Sequence, residues 1–168
     1  MANHFSKFDQ MMMEQALLEA KLAFEKEEVP VGAVLTLGDK IIARAHNLME
    51  IKGDPTAHAE ILCIRKGAEV IQDWRLLGAT LYTTLEPCAM CGGAMLLARL
   101  SKVVWAAPDI RHGAHGSWVD LFEQKHPTHQ LEIIGGLYKD KAANLMRLFF
   151  KRQRIKHEKD KALNRGTV

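Results

Sequence analysis

His58 and Glu60, with Cys88 and Cys91 further along, are the side chains of this sequence whose types and spacing suit chemistry. One imidazole and two thiols are donors that zinc prefers. Structural zinc sites are usually closed by four protein ligands, whereas catalytic sites keep one position for water. Neither a fourth cysteine nor a pair of neighbouring histidines at zinc-finger spacing completes the set here. An open position predicts catalysis, because bound zinc lowers the pKa of water from roughly 15.7 to about 7 and supplies hydroxide at neutral pH. That chemistry needs a group to take the proton and deliver it onward. Glu60 lies two residues from His58, so on a helix the two cannot share a face. A proton shuttle therefore suits Glu60 better than a fourth metal ligand.

Each half of the pattern is weak alone. A single His-x-Glu pair is incidental in most sequences, and Cys-x-x-Cys also fits a thioredoxin-like redox pair or half of a zinc knuckle. The joint pattern favours the metal. The third cysteine, Cys63, sits among Ile61, Leu62 and Ile64 and reads as a buried core thiol. An odd cysteine count in a chain of 168 residues does not suggest a disulfide scaffold.

The elements that must position these residues follow from periodicity and turn chemistry. Phe8, Met12, Ala16, Ala20 and Phe24 recur every fourth residue, which predicts an amphipathic helix from about Ser6 to Glu28. VGAVLTL (31–37) and IIARAHN (41–47) flank Gly38-Asp39-Lys40 and read as a β-hairpin. HAEILCIRKGAEVI (58–71) reads as a helix, ATLYTTL (79–85) as a strand. Pro87 suits the first turn of a helix running to about Arg99. KVVWAA (102–107) and LEIIGGLY (131–138) are further strands around an irregular Gly- and His-rich stretch. A basic helix closes the chain at about 140–160. Strands alternating with helices predict one α/β domain over 1–168, a mixed sheet covered on both faces. Trp74 and Trp105 are expected in or at the edge of the core.

The net charge of +3 is unevenly spread. Residues 139–168 carry ten Lys/Arg against three Asp/Glu, while the remainder of the chain is slightly acidic. A basic end on a near-neutral body suits an anionic partner, although a solvated helix end gives the same composition. No apolar run approaches the roughly 20 residues that cross a bilayer. The basic start and apolar stretch of a secretory signal are also missing, which predicts a cytoplasmic protein.

Asp54-Pro55-Thr56-Ala57-His58-Ala59-Glu60 with Thr84-Leu85-Glu86-Pro87-Cys88-Ala89-Met90-Cys91 resembles the cytidine/deoxycytidylate deaminase superfamily. Glu28-Val29-Pro30-Val31-Gly32-Ala33-Val34, Gly113-Ala114-His115-Gly116-Ser117 and Phe149-Phe150-Lys151-Arg152-Gln153-Arg154 are similar to stretches of one branch, the bacterial tRNA-specific adenosine deaminases. The similarity runs from about residue 8 to 156. It implies a cytidine deaminase-like fold, a mixed five-stranded sheet sandwiched between helices in three α/β/α layers. It implies one Zn²⁺ per subunit held by His58, Cys88 and Cys91, with Glu60 catalytic. The implied reaction is hydrolytic deamination of adenosine to inosine at the wobble position of a tRNA anticodon. Val31 and Asn47 would then line the base pocket, Asp109 and Arg111 would lie beside the anticodon stem-loop, and Arg152 near RNA phosphate. A homodimer is implied as well. Pro108 departs from the basic residue expected there, and His112 and His115 are expected to face solvent or RNA. The metal motif alone also accommodates a deaminase of free guanine, cytosine or a nucleotide, and a zinc-stabilised RNA-binding protein without catalysis.

Overall fold

The computed structural model describes residues 5–165; the two ends of the expected 1–168 domain lie outside the described residues. Helix α1 spans Lys7–Glu25 and starts on a capping box. The Asp9 N–H donates to the Ser6 hydroxyl at 3.0 Å, and the Ser6 N–H donates back to the Asp9 carboxylate at 2.9 Å. Aspartate thus does the work usually done by the longer Glu or Gln. From the predicted stripe, Met12, Ala16 and Ala20 are buried.

Strands β1 (Gly32–Leu37) and β2 (Lys40–His46) pair antiparallel around Gly38-Asp39, with Gly38 at φ 57°. This left-handed conformation suits a residue without Cβ. A Cβ at Gly32 would strike the Ala16 carbonyl and the Ala20 nitrogen, so β1 rests directly on the α1 backbone.

A short helix, α2 (Met49–Lys52), was not foreseen from sequence. Its Leu48 cap makes no side-chain hydrogen bond. Instead the buried Glu28 carboxylate accepts from the N–H groups of Glu50 (3.2 Å) and Ile51 (2.8 Å). The donors freed at a helix start are therefore met by a residue distant in sequence.

Helix α3 (Ala59–Ile71), β3 (Ala79–Leu85), α4 (Ala89–Leu97), β4 (Lys102–Ala107), β5 (Glu132–Gly135) and α5 (Lys139–Arg165) complete the fold. The sheet order is β2-β1-β3-β4-β5, antiparallel in its first two pairings and parallel in the last two. Alternate strand residues fill two cores. Ala33, Leu35, Leu81 and Val103 pack with Leu62, Cys63 and Met95 of α3 and α4. Val34, Tyr82 and Val104 pack with Met13 and Leu17 of α1 and Ala142 of α5 on the other face. The architecture is thus the expected mixed five-stranded sheet between helices.

Three expectations need correction. Pro87 precedes the Cys88 N-cap instead of entering the first turn of α4. Trp74, in the turn after α3, is 54% exposed and outside both cores. Helix α5 runs past residue 160 to Arg165, because its Lys, Glu, Ala and Leu residues keep helical propensity high. Among the described residues, no helix is long and apolar enough to cross a membrane.

Candidate active site

His58 and Cys88 are the N-cap residues of α3 and α4, both in extended backbone. Caps sit outside the helical spiral, so both side chains project from the helix starts into the space beyond the strand ends. Cys91 is one turn further into α4 and buried. His58 Nδ1 lies 3.6 Å from Cys88 Sγ and 3.5 Å from Cys91 Sγ. All three donor atoms fall within 4.8 Å of one another. A tetrahedral zinc with bonds of about 2.3 Å to sulfur and 2.0–2.1 Å to nitrogen places such donors about 3.5 Å apart. The donor set fits zinc in kind and spacing.

The protons on these groups are already biased. Hydrogen bonds from Cys91 and then His58 pull the Cys88 thiol down to about 4, against the opposing effect of burial. Cys91 is pushed up by its hydrogen bond to Cys88 and by burial. The Cys88 contact raises His58. The α4 N-terminus favours charge on Cys88 as well.

Glu60, in the first turn of α3, is 4% exposed. Burial raises its carboxyl pKa above the usual range. The Thr83 hydroxyl donates to its Oε1 at 3.3 Å.

A cavity of about 890 Å³ opens over this group, lined by His58, Glu60 and Cys88. Val31, Asn47, Asp109 and Arg111 line the same cavity, as does Pro108. Asn47 is buried, and its Nδ2 donates to Glu28 at 3.3 Å. Arg152 is not on the cavity wall. Its guanidinium lies 3.7 Å from the Glu27 carboxylate and over the Phe24 ring. Helix α5 instead offers Ala143, Met146, Arg147 and Phe150 to the cavity. These residues follow an i, i+3, i+4, i+7 spacing that marks one helix face. The sequence carries that signal but does not distinguish a cavity wall from a core stripe.

The loop after β4 forms the facing wall, and its histidines divide. The His112 side chain is 68% exposed, with Nδ1 3.5 Å from Asp109 Oδ2. His115 faces inward, contrary to expectation: Trp105 Nε1 donates to its Nδ1 at 3.0 Å, and its ring meets Trp105 and Phe122 edge-on. The expectation failed because the partner aromatics are Trp105 of β4 and Phe122, further along the same loop.

Glu86, unremarked from sequence except as part of a motif, is 1% exposed. Its Oε1 accepts from the N–H groups of His115 (2.9 Å) and Ser117 (3.2 Å). Its Oε2 accepts from the Asp109 N–H (3.1 Å) and the Ser117 hydroxyl.

A sequence model of the cytidine and deoxycytidylate deaminase zinc-binding region matches residues 6–107. The chain is 45% identical to the tRNA-specific adenosine deaminase of Bacillus subtilis over 148 residues, 88% of this chain and 92% of that protein. It is 43% identical to the tRNA-specific adenosine deaminase of Haemophilus influenzae, covering 94% of this chain and 92% of that one. A solved structure from studies of A-to-I editing by tRNA:A34 deaminases superposes with a TM-score of 0.77 at 43% identity, over 80% of this chain and 98% of the other.

Proposed function

This chain belongs to the cytidine and deoxycytidylate deaminase family, and on that premise we propose that it converts adenosine to inosine at the wobble position of a tRNA anticodon. The observation that carries the reading is a buried carboxylate, Glu60, in one cavity with His58 and Cys88 of a three-donor zinc group, in a chain so similar to tRNA-specific adenosine deaminases.

His58, Cys88 and Cys91 hold one zinc ion, which supplies a Lewis acid able to bring the pKa of water to about 7. Val31 and Asn47 flank the adenine, and the surrounding apolar wall keeps bulk water from the ring. The buried Glu60 carboxylate takes a proton from the attacking water and passes it to adenine N1. The C6–O bond forms as N1 gains that proton; Glu60 then carries the remaining proton of the added oxygen to the exocyclic amine as the C6–N6 bond breaks. Ammonia leaves, and inosine remains. The Thr83 hydroxyl holds one Glu60 oxygen in place.

Asp109 and Arg111 stand at the cavity rim on the loop after β4, where nucleotides flanking a flipped-out base would lie. Anticodon-loop bases are partly unstacked already, so extruding one costs less than removing it from a duplex. Arg152 and the basic residues of α5 attract RNA phosphates. Residues 5–165 work as one deaminase domain that includes that helix, and a tRNA substrate suits a cytoplasmic protein. Leu97 of α4 is 70% exposed, with Ile110 (83%) and Trp118 (62%) on the loop after β4. Exposed apolar side chains of this size suit burial in a homodimer.

The test is deamination of an anticodon stem-loop bearing adenosine at the wobble position, with inosine detected by mass spectrometry. Free adenosine, cytidine and guanine run in parallel, and Glu60→Ala serves as blank. Inosine formed in the RNA alone is the expected result. Turnover confined to a small molecule would move the protein to the free-base branch and leave the basic helix without a role.

A further inference from the structure

We infer that Glu86 is a positioning residue for substrate, a buried acceptor that fixes the loop bearing Asp109 and Arg111 against the segment bearing Cys88; the substrate part of this inference rests on the reading above.

Four donors converge on one side chain: the N–H groups of Asp109, His115 and Ser117, and the Ser117 hydroxyl. Only a carboxylate offers about four acceptor sites and no donor. The loop is shaped around it. A Cβ at Gly113 would strike the Glu86 carboxyl group and the Asp109 carbonyl, so the loop backbone passes directly over the carboxylate. The main chain joins the same two segments, because the Ala114 N–H donates to the Pro87 carbonyl at 2.8 Å and Cys88 bridges Gly113.

Asp109 and Arg111 hold few contacts of their own. Asp109 Oδ1 accepts from the N–H groups of Arg111 (3.0 Å) and His112 (3.3 Å), which closes a local turn. That turn is tied to the body through the Asp109 N–H, and its partner is Glu86. The zinc donors are held differently, by the starts of α3 and α4 and the core beneath them. Loss of the Glu86 acceptor should therefore loosen the loop and leave the metal in place. Glu86→Gln puts an amide NH₂ where two donors already point, since each carboxylate oxygen serves two donors.

The experiment compares the zinc-loaded chain with Glu86→Gln and Ser117→Ala by three measurements: zinc content, amide hydrogen exchange over residues 108–117, and steady-state kinetics on the anticodon stem-loop. For Glu86→Gln the expected results are one zinc per chain, faster exchange confined to the loop, and KM raised about tenfold with kcat within about twofold. Ser117→Ala, which removes one hydroxyl and retains the carboxylate, should move exchange and KM in the same direction by a smaller factor. Should Glu86→Gln fail to fold, Ser117→Ala carries the same comparison. Unchanged loop exchange in the folded variants would overturn the inference, as would a loss in kcat at constant KM. The exchange measurement needs no substrate, so a parent chain that proved inactive on tRNA would sink the functional reading and leave this one decidable.

Discussion

The two walls of the cavity are built on opposite principles. One consists of the starts of α3 and α4, where His58, Glu60, Cys88 and Cys91 are placed by regular elements over the sheet core. The other pairs a face of α5 with an irregular loop, and the loop is held by the buried Glu86 and by ring contacts of His115. Side chains on regular elements inherit precise geometry from the backbone, whereas a loop has only the contacts that pin it. Under the proposed function, the difference would separate chemistry from recognition. Changes on the first wall should act on the reaction, and changes on the second on the grip on RNA.

Removal of the metal tests that division most severely. Cys88→Ser, or prolonged chelation, should take zinc content well below one per chain and activity to background; full activity without zinc would remove the metal from the mechanism. Glu60→Ala comes next. It should retain zinc and fold while losing about 10²–10⁴ in kcat, the usual range for a general acid–base group. Zinc loss in that variant, read by elemental analysis, would make Glu60 a ligand and blur the first wall.

On the recognition side the effects are smaller. Arg152→Ala should weaken stem-loop binding and flatten log K against log salt by about one charge contact, with kcat at saturation unchanged. A salt slope identical to the parent's would take Arg152 out of the RNA surface and leave its pairing with Glu27 as its whole role.

Asp9 lies outside both walls and sharpens the contrast by affecting stability alone. Burial pushes its carboxyl upward, yet hydrogen bonds from Ser6 and Tyr82 and the charge of Lys102 outweigh burial and hold it below the usual range. A depressed folded-state pKa gives stability that is complete above the unfolded value of about 3.9 and is lost as pH falls through the folded value. Asp9→Asn should therefore cost about 1–2 kcal/mol at pH 7, with the gap to the parent narrowing below about pH 4. Urea denaturation at several pH values measures it; a gap that widened in acid would contradict the assignment.

Much of the fold was legible because its signals are local. The capping box at Ser6, the turn at Gly38-Asp39 and the runs 79–85 and 102–107 each state their conformation within a few residues. Helix α2 was not legible, since its stabilising partner Glu28 lies in another part of the chain. The same division runs through the site. Cys88 and Cys91 advertise a shared metal by their spacing, and His58-Ala59-Glu60 advertises its partner by residue type. Nothing local marks Arg147 and Phe150 as cavity residues, or His115 as an inward one.

By itself, then, the sequence determined the donor types, the carboxylate two residues from the histidine and the elements that carry them, because ligand chemistry and helix starts depend on neighbours in the chain. Tertiary structure alone decided that His58 reaches within 3.6 Å of two cysteines, that Glu60 is desolvated, and that four loop donors close on Glu86. Distances and desolvation are properties of packed surfaces, and packing brings together residues that the sequence holds apart.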